Sequence, residues 1–162
     1  MTINAVTTET DTSPASGVYD SDGTYYVVLK ATDAFGKSVT ETSKKITIDR
    51  TKPDSPDIKN PGTAWLGSKD NFAANGTAKD NAGGSGIDKV YWAITAGSAQ
   101  SPSTASFASG SGWTDSNGGQ SWSFDVTGLA DGENVKKIHV VAVDAAGNIS
   151  DVSSRSISVD TT

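Results

Sequence analysis

Cysteine is absent from this chain of 162 residues, which excludes a disulfide framework and any thiolate metal site. Histidine and methionine occur once each. With a lone imidazole, no thiol and no G-x-S-x-G turn, there is no nucleophile and base to pair, so the chain is not read as an enzyme. His139 has the parity opposite to Ile138 and Val140 and is expected to be a half-exposed strand residue. No apolar run is long enough to cross a bilayer, so membrane insertion is not expected. The opening MTINAVTTET lacks the charged and apolar regions of a secretory signal, so export would be directed by sequence beyond this stretch. Positive charge is also scarce. Thirteen Lys and Arg against 19 Asp and Glu leave a net charge of −6, which argues against nucleic acid and anionic membrane as partners.

What the sequence does have is glycine, 17 residues of it, together with abundant Ser and Thr around short alternating segments. Period-two patterns bounded by Gly, Asp and Asn predict strands near residues 56–59, 72–78, 89–96, 120–127, 136–143 and 153–160. No window sustains a helical apolar stripe. An internal repeat organises these segments: Asp33, Gly36, Ile46, Asp49 and Thr51 return as Asp144, Gly147, Ile157, Asp160 and Thr162 at a constant offset of 111. A period of that length marks whole globular modules in tandem rather than a solenoid. Residues 51–162 are read as one complete module, and residues 1–50 as the C-terminal part of a truncated sister.

The spacings suit an all-β sandwich of two antiparallel sheets with about seven strands. Alternation assigns the core: Val90, Trp92 and Ile94 on one strand, Trp122, Phe124 and Val126 on another, Ile138, Val140 and Ala142 on a third. Val27, Leu29 and Ala31 repeat the third set in the first copy, and TINAVTTET is read as a repeat of the Trp122 strand. A half sandwich exposes an edge and part of its core, so this half is expected to be poorly ordered or to self-associate with another copy of the chain.

GSGIDKVYWAIT, WSFDVTGLADGE, VVAVDAAGNIS and ISVDTT, with ITIDRTKPDSP in the first copy, resemble the bacterial immunoglobulin-like repeats of large extracellular surface adhesins. The resemblance covers residues 52–162 fully and 17–51 in part. It implies an immunoglobulin-like fold in an array on the bacterial cell surface, with neighbouring modules as partners and a spacer role, stiffened in many members by Ca²⁺ at the junctions. The first copy departs from the pattern at Phe35 and Lys37, where the second has Ala146 and Asn148.

Asp33 and Asp144 have core parity at a strand end, so each carboxylate needs a partner: the N–H groups of the following turn, a cation, or both. The usual sandwich order would gather seven carboxylates where one module meets the next: Asp20, Asp22, Asp49, Asp54, Asp80, Asp88 and Asp144. Arg50 and Lys52 are the nearby bases. A hard, oxygen-seeking ion of flexible geometry, Ca²⁺, fits such donors. The DSDG stretch lacks the bidentate Glu of an EF-hand, so loop-type ligation is the most it could give. Trp65 and Trp113 lie in loop-like stretches and are the candidate glycan contacts of an alternative reading, a glycan- or protein-binding module. Trp92 and Trp122 have core parity and are expected to pack inside.

Overall fold

In the computed structural model, which describes residues 2–7, 21–42, 44–62 and 64–162, every regular element is a β-strand. The chain divides into two compact units, one of Met1–Arg50 with Gly83–Ser85, the other of Thr51–Ala82 with Gly86–Thr162.

The first unit carries β1 (Thr2–Thr7), β2 (Gly23–Tyr25), β3 (Val27–Thr32), β4 (Ser38–Thr42) and β5 (Ile46–Ile48). β3 lies between β1 and β4, both antiparallel to it, and β2 pairs with β5. β3 and β4 are joined by a tight turn in which Gly36 has φ +84°, a left-handed conformation that a side chain would strain. β4 is exposed at every position.

The second unit builds the sandwich that the alternation predicts. β6 (Asp57–Asn60), β8 (Phe72–Thr77) and β11 (Ser121–Val126) form a three-stranded antiparallel sheet with β8 central. The other sheet runs β10 (Thr114–Asp115), β9 (Ile87–Ala96), β12 (Gly132–Asp144), β13 (Ser153–Val159) and β7 (Trp65–Leu66). β7 pairs parallel to the end of β13, the rest pair antiparallel. Between the sheets lies one apolar core in which Val90, Val126, Ile138, Val140, Ala142 and Ile157 are fully buried. Trp92 stacks on Phe124 at 4.3 Å between ring centres, and Trp122 on Phe124 at 5.7 Å, so the two core-parity tryptophans do pack there. All three predicted core sets of this unit are accounted for.

One strand assignment is corrected. β1 does not take the place of β11. It pairs with β3, the counterpart of β12, from the side opposite β4, as β9 pairs with β12 from the side opposite β13. Antiparallel pairing requires an edge with unused N–H and C=O groups, and that side of β3 supplies one.

A second, smaller cluster was not anticipated. The uncharged segment 97–113 folds against the outer face of the five-stranded sheet, where Phe107 stacks on Tyr91 at 4.3 Å and Trp113 packs with Ala93 and Val141. That sheet is therefore apolar on both faces near its middle.

Candidate functional site in the acidic turns

The same hairpin occurs in both units. Its first residue is the aspartate at the end of β3 or β12, and its glycine sits at φ +84° in Gly36 and +91° in Gly147. In the first unit Asp33 Oδ1 accepts the Phe35 and Lys37 amides at 2.8 and 2.9 Å. In the second, Asp144 Oδ1 accepts the Ala146 and Asn148 amides at 2.9 and 2.8 Å. The turn folds this way because an Asp carboxylate can take two N–H groups that the reversal leaves without strand partners. The local partners expected from the sequence are thus present in both copies.

The copies differ where their sequences do. Asn148 donates its side-chain Nδ2 to Asp144 Oδ2 at 2.8 Å, a third bond, whereas position 37 is a lysine. Asp144 is 1% exposed, while Asp33 is exposed, against the inward placement expected for it. A second acidic turn lies beside Asp144. Asp80, half-buried, accepts the Asn81 amide at 2.9 Å and the Gly86 amide at 2.6 Å. One carboxylate oxygen of Asp80 and one of Asp144 come within 4.8 Å of each other. Two such anions repel by about 3 kcal/mol at an effective dielectric near 20, and the five donated N–H groups offset that in part. Next to Asp80, the Asn81 Oδ1 is buried with no hydrogen-bond partner.

Of the seven carboxylates, Asp54, Asp80, Asp88 and Asp144 belong to the second unit and Asp20, Asp22 and Asp49 to the first. Within the second unit only Asp80 and Asp144 come together; Asp54 and Asp88 are exposed and stand outside the pair. In the first unit Asp22 accepts the Arg50 amide at 3.0 Å and forms an ion pair with its guanidinium at 3.5 Å. Asp49 is buried and accepts the Ser85 amide at 2.7 Å. Asp20 lies outside the described residues. Lys52 is taken up by Asp151 at 2.7 Å rather than by the acidic turns. Sequence reasoning could not weigh these pairings, because each joins residues far apart in the chain.

Trp113 is corrected as well. It is 5% exposed and its Nε1 donates to the Ser103 carbonyl at 3.0 Å, so it is a buried residue of the outer cluster rather than an exposed loop residue. Trp65, on β7, is 54% exposed.

His139 is 1% exposed rather than half-exposed. Its ring is held between two hydroxyls, Nε2 to Thr95 Oγ1 at 3.0 Å and Nδ1 to Ser154 Oγ at 2.8 Å. Thr95 Oγ1 also lies 3.1 Å from the Ala96 carbonyl, to which it donates. It is then left to accept at Nε2, which fixes the proton there and leaves Nδ1 to accept from Ser154. Burial pushes the imidazole below its ordinary pKa, and the Lys137 charge adds to that.

No family model and no curated protein matches the chain. Among solved structures it is similar to the fibronectin(III)-like modules of Clostridium thermocellum CbhA, at 15% identity over 85% of its length with a TM-score of 0.44. A crystal structure of titin domains matches at 19% identity over 86% of the chain with a TM-score of 0.40. The chain spans 64% and 41% of the lengths of those two structures. The fold itself, read from its own topology, is an immunoglobulin-like β-sandwich.

Proposed function

We propose that this chain is a stretch of a tandem array of immunoglobulin-like modules and serves as a structural spacer in a bacterial cell-surface adhesin, outside the cell. The observation that carries the reading is the repeated hairpin: the same turn, the same aspartate cap and the same glycine recur at an offset of 111 residues. Tandem copies of one turn suit a part whose work is to set distance and direction. The motif resemblance supplies the surface setting.

The reading includes calcium. Asp80, Asp144 and the buried Asn81 Oδ1 offer oxygen donors only, the chemistry that Ca²⁺ selects over softer ions. A bound ion would neutralise the mutual repulsion of the two carboxylates and stiffen the turns that carry them. The test is a thermal melt of the full chain in EDTA, in millimolar Ca²⁺ and in millimolar Mg²⁺, followed by tryptophan fluorescence. A Ca²⁺-specific rise of several degrees supports the ion through the linkage of binding to stability. An unchanged midpoint removes calcium from the reading and leaves a spacer held by packing alone.

A second reading is favoured by Trp65, a residue 54% exposed while Trp113 and Trp122 are buried. A flat ring suits a glycan face. Quenching or a blue shift across a glycan panel, lost in Trp65→Ala, would favour a binding module over a spacer.

A further inference from the structure

β4 is the outer strand of its sheet: β3 pairs with one side of it, and among the described residues no strand pairs with the other. All of its residues are exposed. Leu29 pairs with Glu41 and Ala31 with Val39, so Val39 and Glu41 turn to the face that carries Leu29 and Ala31. Lys37, just ahead of β4, continues the same ladder, its carbonyl accepting the Asp33 amide at 2.9 Å, and has the parity of Val39. The edge thus presents an evenly spaced stripe of cation, apolar side chain and anion, with Val39 59% exposed at its centre. Neither Lys37 nor Glu41 forms an ion pair among the described residues. The second copy has no such stripe. Its aligned residues are Asn148, Ser150 and Val152, and Ser150 is buried, its hydroxyl bonded to the Ala142 amide at 3.0 Å and the Asp151 carbonyl at 2.9 Å.

We propose that the free edge of β4 pairs antiparallel with β4 of a second copy of this chain, about a two-fold axis through Val39. In that register Val39 lies opposite Val39, and Lys37 of each copy lies opposite Glu41 of the other. Cross-strand partners stand about 4.5–5.5 Å apart, close enough for the valines to touch and for each charge pair to meet. Neighbouring registers lose the match. An axis at Lys37 or at Glu41 sets like charges face to face, and an axis at Ser38 or at Thr40 sets Val39 against a charge. Charged side chains ordinarily protect an edge strand from other copies, because charges of one sign repel across the axis. Opposite signs equally spaced about Val39 do the reverse. The occupant is a second copy rather than an unrelated strand because the stripe is complementary to itself, and the pair closes as an isologous dimer. The inference uses neither the adhesin reading nor calcium.

The experiment is analytical ultracentrifugation of the full chain from micromolar to millimolar concentration, at low salt, where exposed charge pairs are least screened. The parent is expected to dimerise within that range. Lys37→Glu and Glu41→Lys are each expected to raise the dissociation constant about tenfold, because each sets two like-charge pairs across the axis. Both side chains are exposed, so neither change disturbs packing within the chain. An equimolar mixture of the two variants is expected to associate as the parent does, since every facing pair is then again opposite in sign. A parent that stays monomeric throughout overturns the proposal. So does a dimer whose dissociation constant is the same in both variants, because another surface then joins the copies. A mixture that associates no better than its separate components overturns it as well.

Discussion

Replacing Asp144 by Ala removes the carboxylate that holds the buried hairpin. Three donors lose their acceptor: the Ala146 and Asn148 amides and the Asn148 side chain. Hydrogen bonds to a charged group are worth about 1.5–3 kcal/mol each. Relief of the repulsion from Asp80 and entry of water into the vacated space return part of that sum, so the net loss is about 3–5 kcal/mol. For a unit of this size that lowers the melting midpoint by roughly 12–20 °C. Asp144→Asn keeps the oxygen that accepts both amides but presents an NH₂ group to the Asn148 donor, and is expected to cost about half as much. All four tryptophans lie between Trp65 and Trp122, so tryptophan fluorescence in urea or heat reports the second unit alone. The matching change in the first unit, Asp33→Ala, acts on an exposed carboxylate whose donors water can serve, and should cost less than about 1 kcal/mol by amide exchange. An Asp144→Ala chain within 1 kcal/mol of the parent would refute the reasoning, because burial would then not be what separates the two copies.

Four further outcomes are expected. If calcium binds as proposed, Asp80→Asn and Asp144→Asn each abolish the Ca²⁺-specific rise in midpoint, and the Asp88→Asn chain retains it. His139 has a depressed folded pKa through burial and Lys137, so its contribution is complete above the unfolded value of 6.5 and is lost as pH falls below it. Urea midpoints between pH 8 and 4.5 should therefore decline less steeply in His139→Gln than in the parent. Gly76→Ala would set a Cβ 1.8 Å from the Asp57 carbonyl oxygen and 2.5 Å from the Trp122 ring, and should destabilise the second unit by at least about 3 kcal/mol in the same assay, whereas Gly67→Ala, with nothing within 4 Å, should be neutral. Trp113→Ala should cost about 3–5 kcal/mol and raise protease cleavage between Gly97 and Gly112.

The sandwich was legible because its long strands are two-faced: the sets around Trp92, Phe124 and Val140 alternate cleanly, and their parity alone places them in the core. The failures came where local pattern and distant partner disagree. Trp113 sits in GSGWTDS, a stretch that reads as loop and is one, yet segment 97–113 lies on the sheet and carries the ring inside. A signal was present: Tyr91, Ala93 and Val141 are apolar at outward positions, and a strand apolar on both faces is covered on both. The same signal would have buried His139, which shares its face with Val141. β7 and β10 are two residues long each and have no period to detect. Of the acidic set, the hairpin caps were readable because Asp33 and Asp144 bond within four residues of themselves. Which carboxylates meet across the fold was not, since Asp80 and Asp144 are 64 positions apart and only the folded sheet brings them together.

The short β7 has a mechanical meaning. It runs parallel to β13, with the Ser158 amide on the Ala64 carbonyl at 2.7 Å and the Asp160 amide on the Leu66 carbonyl at 3.0 Å. A load that draws the start of β7 one way and the end of β13 the other slides the two strands past each other. Both bonds then resist at once, where an antiparallel edge pulled from one end would open a rung at a time. Two residues that follow β6 thus hold the last strand of the unit in shear, and a load along that strand meets both bonds together.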